Sequence, residues 1–365
     1  MGLGIQKPMR SFRVRAPGRV CLFGEHSDYL GLPVIPAAID LNIEIEARPI
    51  KDNEIHVEYT DTDDSDVFTV DMEVDYRHRR DYLRSAFNLL FRRGISPKHG
   101  WNLRVTGNIP IAAGLSSSSA LSVASVMAFS TMAGSGLQVQ ELAEIAYNAE
   151  VVEFGEGGGM MDHFASAYGR IIHVDCGLAY KTTRLPAIVE GLVIGDSLEK
   201  KGDTVGDLKR IRSEVENGYK AISSMIPGFD QRTTPKDEVL AALPETSTEL
   251  RSMAVTTLLN REITRKAFQL LRTERPDPRD VGELLDQHHH LLKTGLKRST
   301  PKIERLIEAA KAAGALGCKI NGSGGGGTML ALAPGREREV AEAIRNAGGQ
   351  PHHVRISSGA AIEEI

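Results

Sequence analysis

The sequence predicts an α+β fold arranged as two domains, and three observations carry that prediction. The chain has 365 residues, a length suited to about two domains of roughly 150–200 residues each. Its first half contains several short runs in which apolar and polar residues alternate. Its second half is dominated by apolar residues at helical spacing.

Taken in chain order, Leu41, Ile43, Ile45 and Ala47 alternate with Asn42, Glu44, Glu46 and Arg48, the pattern of a half-buried strand. Ile55, Val57 and Tyr59 repeat it, as do Trp101, Leu103 and Val105. Polar partners at period two point to sheets that are antiparallel or mixed rather than purely parallel. A helix is expected over Arg79–Phe91. Ser116–Met132 is small and apolar on all sides, which predicts a buried helix, and Gln138–Glu153 is more amphipathic. Strand-like IIHVDC (Ile171–Cys176) and LVIGD (Leu192–Asp196) bracket a connection bearing glycine and proline, and the domain boundary is placed there, giving domains of 1–187 and 188–351. Helices follow over Asp203–Met225, Glu249–Leu271, Val281–Leu292 and Pro301–Ala313. The chain closes with strand-like GCKI and TMLALA, a short helix from Arg336 and a strand HHVRIS.

Composition narrows the function. Hydrophobic residues are 41% and charged residues 25%, which excludes wholesale disorder. A net charge of −4 supplies no global basic field for nucleic acid or anionic membrane, and 5% aromatics argue against a stacking platform for single strands. Cys21, Cys176 and Cys318 are odd in number and widely spaced, so neither a disulfide framework nor a zinc ribbon is expected. No apolar run approaches the length of a membrane span, and MGLGIQKPMRSF lacks the apolar core of a signal peptide. The expectation is a cytoplasmic protein.

Four segments can carry chemistry. In PIAAGLSSSSALSV (Pro110–Val123) a small-residue loop runs into the apolar helix through Ser116, Ser117, Ser118 and Ser119. Hydroxyl caps and unpaired N–H groups at the positive end of a helix suit a phosphate. A merely capped helix would need only one serine. NGSGGGGTML (Asn321–Leu330) contains the spacing GxGxxG, but a dinucleotide fingerprint is followed by a helix, whereas TMLALA reads as a strand. The glycines therefore serve either a tight hairpin or a backbone cradle near phosphates. In APGRVCLFGEHSDYLGLPVIPAAID (Ala16–Asp40), Arg19 precedes an apolar stretch, and Glu25, His26 and Asp28 lie at its end. They fit a surface turn, or groups that fix the hydroxyls of a small polyol. In AEVVEFGEGGGMMDHFASAYG (Ala149–Gly169), Asp162 follows a glycine-rich break and either caps a helix or reacts. His288, His289 and His290 face different directions on a helix and do not suit one metal. The run His78–Arg80 with Arg84 reads as a solvated helix face. Cys21 and Cys176 read as buried small hydrophobes.

Together these segments resemble the GHMP kinases, and most closely the galactokinase branch. GRVCLFGEHSDYLG is similar to that branch's sugar-binding motif, PIAAGLSSSSA to the superfamily's phosphate motif, and INGSGGGGTMLAL to its C-terminal glycine motif. GMMDHFAS resembles the segment carrying the catalytic aspartate. TLLNREITRKAFQLL, STPKIERLIEAA and HHVRISSGAAIEEI also fit, so the resemblance runs nearly end to end. It implies a ribosomal S5-like N-terminal domain and a ferredoxin-like C-terminal domain, with the last strand, about 352–365, able to return to the first. It also implies transfer of the γ-phosphoryl group of ATP, with Mg²⁺, to a small hydroxylated substrate, most closely the anomeric hydroxyl of galactose or a related sugar.

By the same resemblance Asp162 and Arg19 are the catalytic pair. Glu25, His26, Asp28 and Gly159 bind substrate; Gly114, Ser116, Ser117, Ser118, Gly324 and Gly325 bind ATP; and Ser118 and Glu150 hold Mg²⁺. A guanidinium beside Asp162 would keep it ionised and ready to accept a hydroxyl proton. The expected partners are a sugar and ATP, with no nucleic acid or membrane, in a monomer or weak homodimer. Three departures bear on the substrate. Cys21 stands where galactokinases usually have Asn, FGEGGGMMD is a residue short and lacks Pro-Cys-Gly, and GDSLEKKGDTVGDLKRIRSE lacks the branch's Ser-Glu-Tyr. The alternatives are a mevalonate-type kinase, which normally has Lys where Arg19 stands, and a non-catalytic sugar and ATP sensor.

Overall fold

The computed structural model describes residues 10–110, 113–243 and 249–365. Residues 111 and 112 of the serine loop, and the first nine, lie outside the described residues.

The alternating segments pair as expected into an eight-stranded sheet. Its strands are β1 (Phe12–Phe23), β2 (Ile35–Pro49), β3 (Glu54–Tyr59), β4 (Asp64–Thr69), β5 (Trp101–Gly107), β6 (Ile171–Asp175), β7 (Lys181–Leu185) and β12 (Ala361–Glu364). The order is β12-β1-β2-β5-β3-β4, with β6 and β7 joined off β2. Only the β3–β5 pair is parallel among its pairings. A second, antiparallel sheet has the order β11-β8-β10-β9. It comprises β8 (Leu192–Asp196), β9 (Gly317–Asn321), β10 (Thr328–Leu332) and β11 (Gln350–Val354). The expected terminal strand is thus divided: His352 and His353 lie on β11 beside β8, and the chain end pairs with β1.

The first half supplies α1 (Tyr82–Phe91), α2 (Ser117–Met132), α3 (Val139–Tyr147) and α4 (Met161–Tyr168); α2 and α4 pack on β1 and β2, α1 packs on α2, and α3 packs on α2 and α4. Helix α2 contacts β1, β2 and the other three helices. That environment explains why its sequence is small and apolar on every side. Phe68, Phe87 and Phe129 meet edge to face at this interface. The second half supplies α5 (Thr204–Ser223), α6 (Lys236–Ala242), α7 (Glu249–Leu270), α8 (Pro278–Thr294), α9 (Pro301–Ala312) and α10 (Glu337–Asn346). Asp203, Asp277 and Thr300 cap α5, α8 and α9 with their side chains.

One surface reading is corrected. Arg84 is not merely solvated: its guanidinium grips Asp66 through two bonds of 2.7 and 2.9 Å, tying α1 to β4. Cys21, Cys176 and Cys318 are free and buried. Among the described residues, no helix is long and apolar enough to cross a membrane.

Candidate active site

The two sheets approach each other around a cavity of about 740 Å³. Arg19 reaches it from β1. The strand is irregular between Pro17 and Arg19, and the Arg19 N–H leaves the β2 ladder to donate to the Leu115 carbonyl at 3.1 Å. Irregularities of this kind re-aim a side chain. The Arg19 side chain is 5% exposed and lies against Asp162 in the first turn of α4. Nε donates to Oδ1 at 2.6 Å, Nη2 to Oδ2 at 2.7 Å, and Nη1 to the Gly114 carbonyl at 2.6 Å. Burial raises the Asp162 pKa, but the Arg19 charge, its hydrogen bonds and that of Ser116 outweigh burial and leave the carboxyl below its ordinary value.

Ser116 does not cap α2. Its backbone is left-handed (φ 64°), outside the extended geometry usual for a capping residue, and its hydroxyl donates to Asp162 Oδ2 at 2.6 Å. The N–H groups of the first turn of α2 therefore have no side-chain cap from Ser116 and stay open to an anion. Gly114 (φ 87°) takes a conformation that suits glycine, and any Cβ there would meet Lys201 Nζ at 2.7 Å. Ser117 and Ser118 line the same cavity. Gly324 and Gly325 do not; they fold against Arg298, whose Nε donates to the Ser323 carbonyl at 2.8 Å.

Asp28 lines the same cavity and lies beside the start of α4, at Met161, the residue before Asp162. The Met161 N–H donates to Asp28 Oδ2 at 3.3 Å, and a Cβ at Gly159 would overlap the same carboxylate. Burial first, and then the Asp162 charge, push the Asp28 pKa up to about 6. His26 also lines the cavity. Its Nδ1 lies 2.8 Å from the Tyr29 hydroxyl, and burial followed by the Arg298 charge lowers its pKa to about 3. Glu25 is differently engaged. One carboxylate oxygen takes the Lys319 ammonium and the other the Gly322 N–H, so its side chain joins the end of β1 to β9 and the glycine loop.

Glu150 sits in a π-helical turn (Asn148–Val152) that continues α3. Such turns often mark functional positions. Its Oε2 accepts from His163 Nε2 at 2.7 Å, and with Ser118 it borders the cavity. One hydroxyl and one carboxylate suit Mg²⁺, which keeps several waters and takes phosphate oxygens. Among the described residues the only cluster of three possible metal ligands is Asp52, Glu54 and His56, none of which lines the cavity.

Sequence reasoning missed Lys201, His163, Lys319 and Asn321. Lys201 lines the cavity with a hydrogen bond of 3.2 Å to Ser323 Oγ, and burial, then the Arg19 charge, lower its pKa to about 8. Among the described residues no carboxylate pairs with it. His163 was readable beside Asp162 in MMDHF, and Asn321 at the head of NGSGGGGTML; Lys201 and Lys319 gave no local signal.

Residues 81–170 match the GHMP kinases N terminal domain, 265–350 the GHMP kinases C terminal domain, and 5–49 the galactokinase galactose-binding signature. The chain is 34% identical to a mevalonate kinase of Pyrococcus furiosus over 96% of this chain and 98% of that protein. It is 32% identical to a galactokinase of a Roseiflexus species over 93% and 87% of the two chains. Among solved structures, the Lactococcus lactis galactokinase complexed with galactose superposes with a TM-score of 0.83 at 23% identity, over 96% and 95%. The Methanococcus jannaschii mevalonate kinase does so with a TM-score of 0.72 at 21% identity, over 97% and 100%.

Proposed function

The chain belongs to the GHMP kinases, ATP-dependent kinases of small molecules, and on that premise we propose that it phosphorylates the anomeric hydroxyl of galactose or a closely related sugar. The observation that carries the reading is the Arg19–Asp162 pair set in a cavity that Asp28 also lines. Asp28, with neutral His26 beside it, offers an acceptor for sugar hydroxyls, and the close approach of Gly159 holds its carboxylate in place. Asp162, kept ionised by Arg19, takes the proton of the attacking hydroxyl as that oxygen bonds to the γ-phosphorus and the bond to the β-phosphate breaks. Because phosphoryl transfer is loose, alignment and charge matter more than a strong base. Ser117, Ser118 and the open end of α2 receive the phosphates, and the Lys201 ammonium adds positive charge to that wall. Mg²⁺, held by Ser118 and Glu150, would shield the negative charge of the phosphates.

A mevalonate-type acceptor is the second reading, favoured by the 34% identity to the Pyrococcus furiosus enzyme. Against it stand Arg19, where that branch normally has Lys, and the presence of Asp28. ADP release from Mg·ATP across galactose, other hexoses, pentoses, N-acetylgalactosamine and mevalonate tests both. Galactose or a related sugar should lead, with Asp162→Asn inactive. Turnover of mevalonate alone would replace the sugar reading. Ligand binding without ADP release would favour a sensor.

A further inference from the structure

Arg19 comes from β1 of the first sheet and Asp162 from α4, which packs on that sheet, yet one side chain from the second sheet ends on the same hydrogen-bond chain. Asn321, the last residue of β9, is fully buried. Its Oδ1 accepts the Cys21 N–H at 2.9 Å, and its Nδ2 donates to the Gly114 carbonyl at 2.9 Å and to Thr328 Oγ1 at 3.4 Å. A backbone donor on one side and a backbone acceptor on the other fix which way the amide points.

Both backbone groups matter to Arg19. Cys21 lies where β1 departs from its β2 register for a second time. The Gly114 carbonyl is the third acceptor of the Arg19 guanidinium. Lys319, two residues earlier and therefore on the same face of β9, donates to the Cys21 carbonyl at 2.9 Å. Two β9 side chains thus hold both polar backbone groups of Cys21, two residues beyond Arg19.

We propose that Asn321 is a positioning residue of the kinase reaction, fixing Arg19 against Asp162 by holding the Cys21 N–H and the Gly114 carbonyl in place. This rests on the reading that Asp162 and Arg19 serve phosphoryl transfer. A filler of the interface would affect stability and both ligands alike; a positioning residue acts on the chemical step.

The test compares Asn321→Leu, which removes both bonds, with Asn321→Thr, which suits a strand and retains one hydroxyl, and with Asp162→Asn. Thermal melting checks that each is folded, and Asn321→Thr serves if the leucine variant is not. Turnover of the best acceptor should fall about 10- to 100-fold in Asn321→Leu and less in Asn321→Thr, with KM for acceptor and ATP within a few-fold of wild type. The acid limb of kcat against pH should also move upward in Asn321→Leu. The titratable and charged groups facing Asp162 (Arg19, Asp28, His163 and Lys201) are unchanged in the variant, so a looser Arg19 is what would raise the carboxyl's pKa. Unchanged turnover, or a loss confined to KM with the acid limb in place, would overturn the proposal while an inactive Asp162→Asn leaves the kinase reading intact. An active Asp162→Asn would remove the reading and the proposal together.

Discussion

Arg19 holds both carboxylate oxygens of Asp162, at 2.6 and 2.7 Å, in a side-on grip that only a planar guanidinium can make. The remaining Asp162 contact from Ser116 comes at 2.6 Å to Oδ2. The carboxylate is therefore oriented by two neighbours, and both favour its charged form, Arg19 more strongly than Ser116.

Arg19→Lys keeps the charge and loses the fork. An ammonium can reach one Asp162 oxygen and cannot also satisfy the Gly114 carbonyl in the same geometry. Turnover is expected to fall about 10- to 100-fold, with ATP affinity nearly unchanged. Steady-state kinetics beside ATP binding by calorimetry measure this. An unaffected kcat would mean that charge alone, without the bidentate geometry, is sufficient.

Asp28 predicts a pH dependence in acceptor binding. Its folded pKa is raised to about 6, so lowering the pH through 6 protonates it and removes an acceptor for substrate hydroxyls. Acceptor KM should rise below about pH 6 while ATP binding stays flat. The stability sign is opposite: a raised carboxyl pKa means that ionisation costs the folded state, and this cost develops between the ordinary value of 3.8 and about 6. Asp28→Asn should thus melt higher than wild type at pH 7, gain little at pH 4, and lose acceptor binding. Melting curves at the two pH values read it directly.

How much of this was legible in the sequence depends on how locally each feature is encoded. The half-buried strand around Ile43 and Ile45, the all-apolar α2 and the strand after the glycine cluster were readable because periodicity and flanking residues suffice. The gathering of Arg19, Asp28, Ser118, Glu150 and Asp162 was expected from ordered motifs. The use made of each was not. Ser116 occupies a capping position, yet its left-handed backbone sends the hydroxyl to Asp162. Glu25 stands among polar residues at a strand end, yet its carboxylate is taken by Lys319, nearly three hundred residues away in sequence. Arg84 has the spacing of a solvated helix face, but Asp66 on β4 claims it. Partners so remote leave no trace in a local pattern.

Gly159→Ala tests whether close backbone approach is what shapes the acceptor end of the cavity. A Cβ there would overlap Asp28 Oδ1 and Oδ2. The Asp28 carboxylate would have to turn away or the loop retreat, and either displaces the acceptor. Acceptor KM is expected to rise at least about tenfold, with ATP affinity and melting temperature close to wild type. Equal losses for both ligands would instead indicate collapse of the loop between α3 and α4.

Lys319→Met addresses the buried link between the sheets. Lys319 and Glu25 are both almost wholly inaccessible, and removal of the ammonium leaves a carboxylate without its counter-charge in the interior. Breaking such a pair from one side costs about 3–5 kcal/mol, whereas removing both charges is far milder. The single variant should melt well below wild type, and Glu25→Gln with Lys319→Met should recover most of the loss. The pH dependence separates charge from packing. Burial already raises the Glu25 pKa, and Lys319 is the largest opposing influence. Without it the folded-state pKa rises further above the ordinary value of 4.5, so the folded protein binds a proton that the unfolded chain releases. The stability deficit of Lys319→Met should therefore shrink as the pH falls from 7 toward 5. A deficit independent of pH, or one that the double variant fails to recover, would show that Lys319 acts by filling space and holding the Cys21 carbonyl rather than by neutralising Glu25.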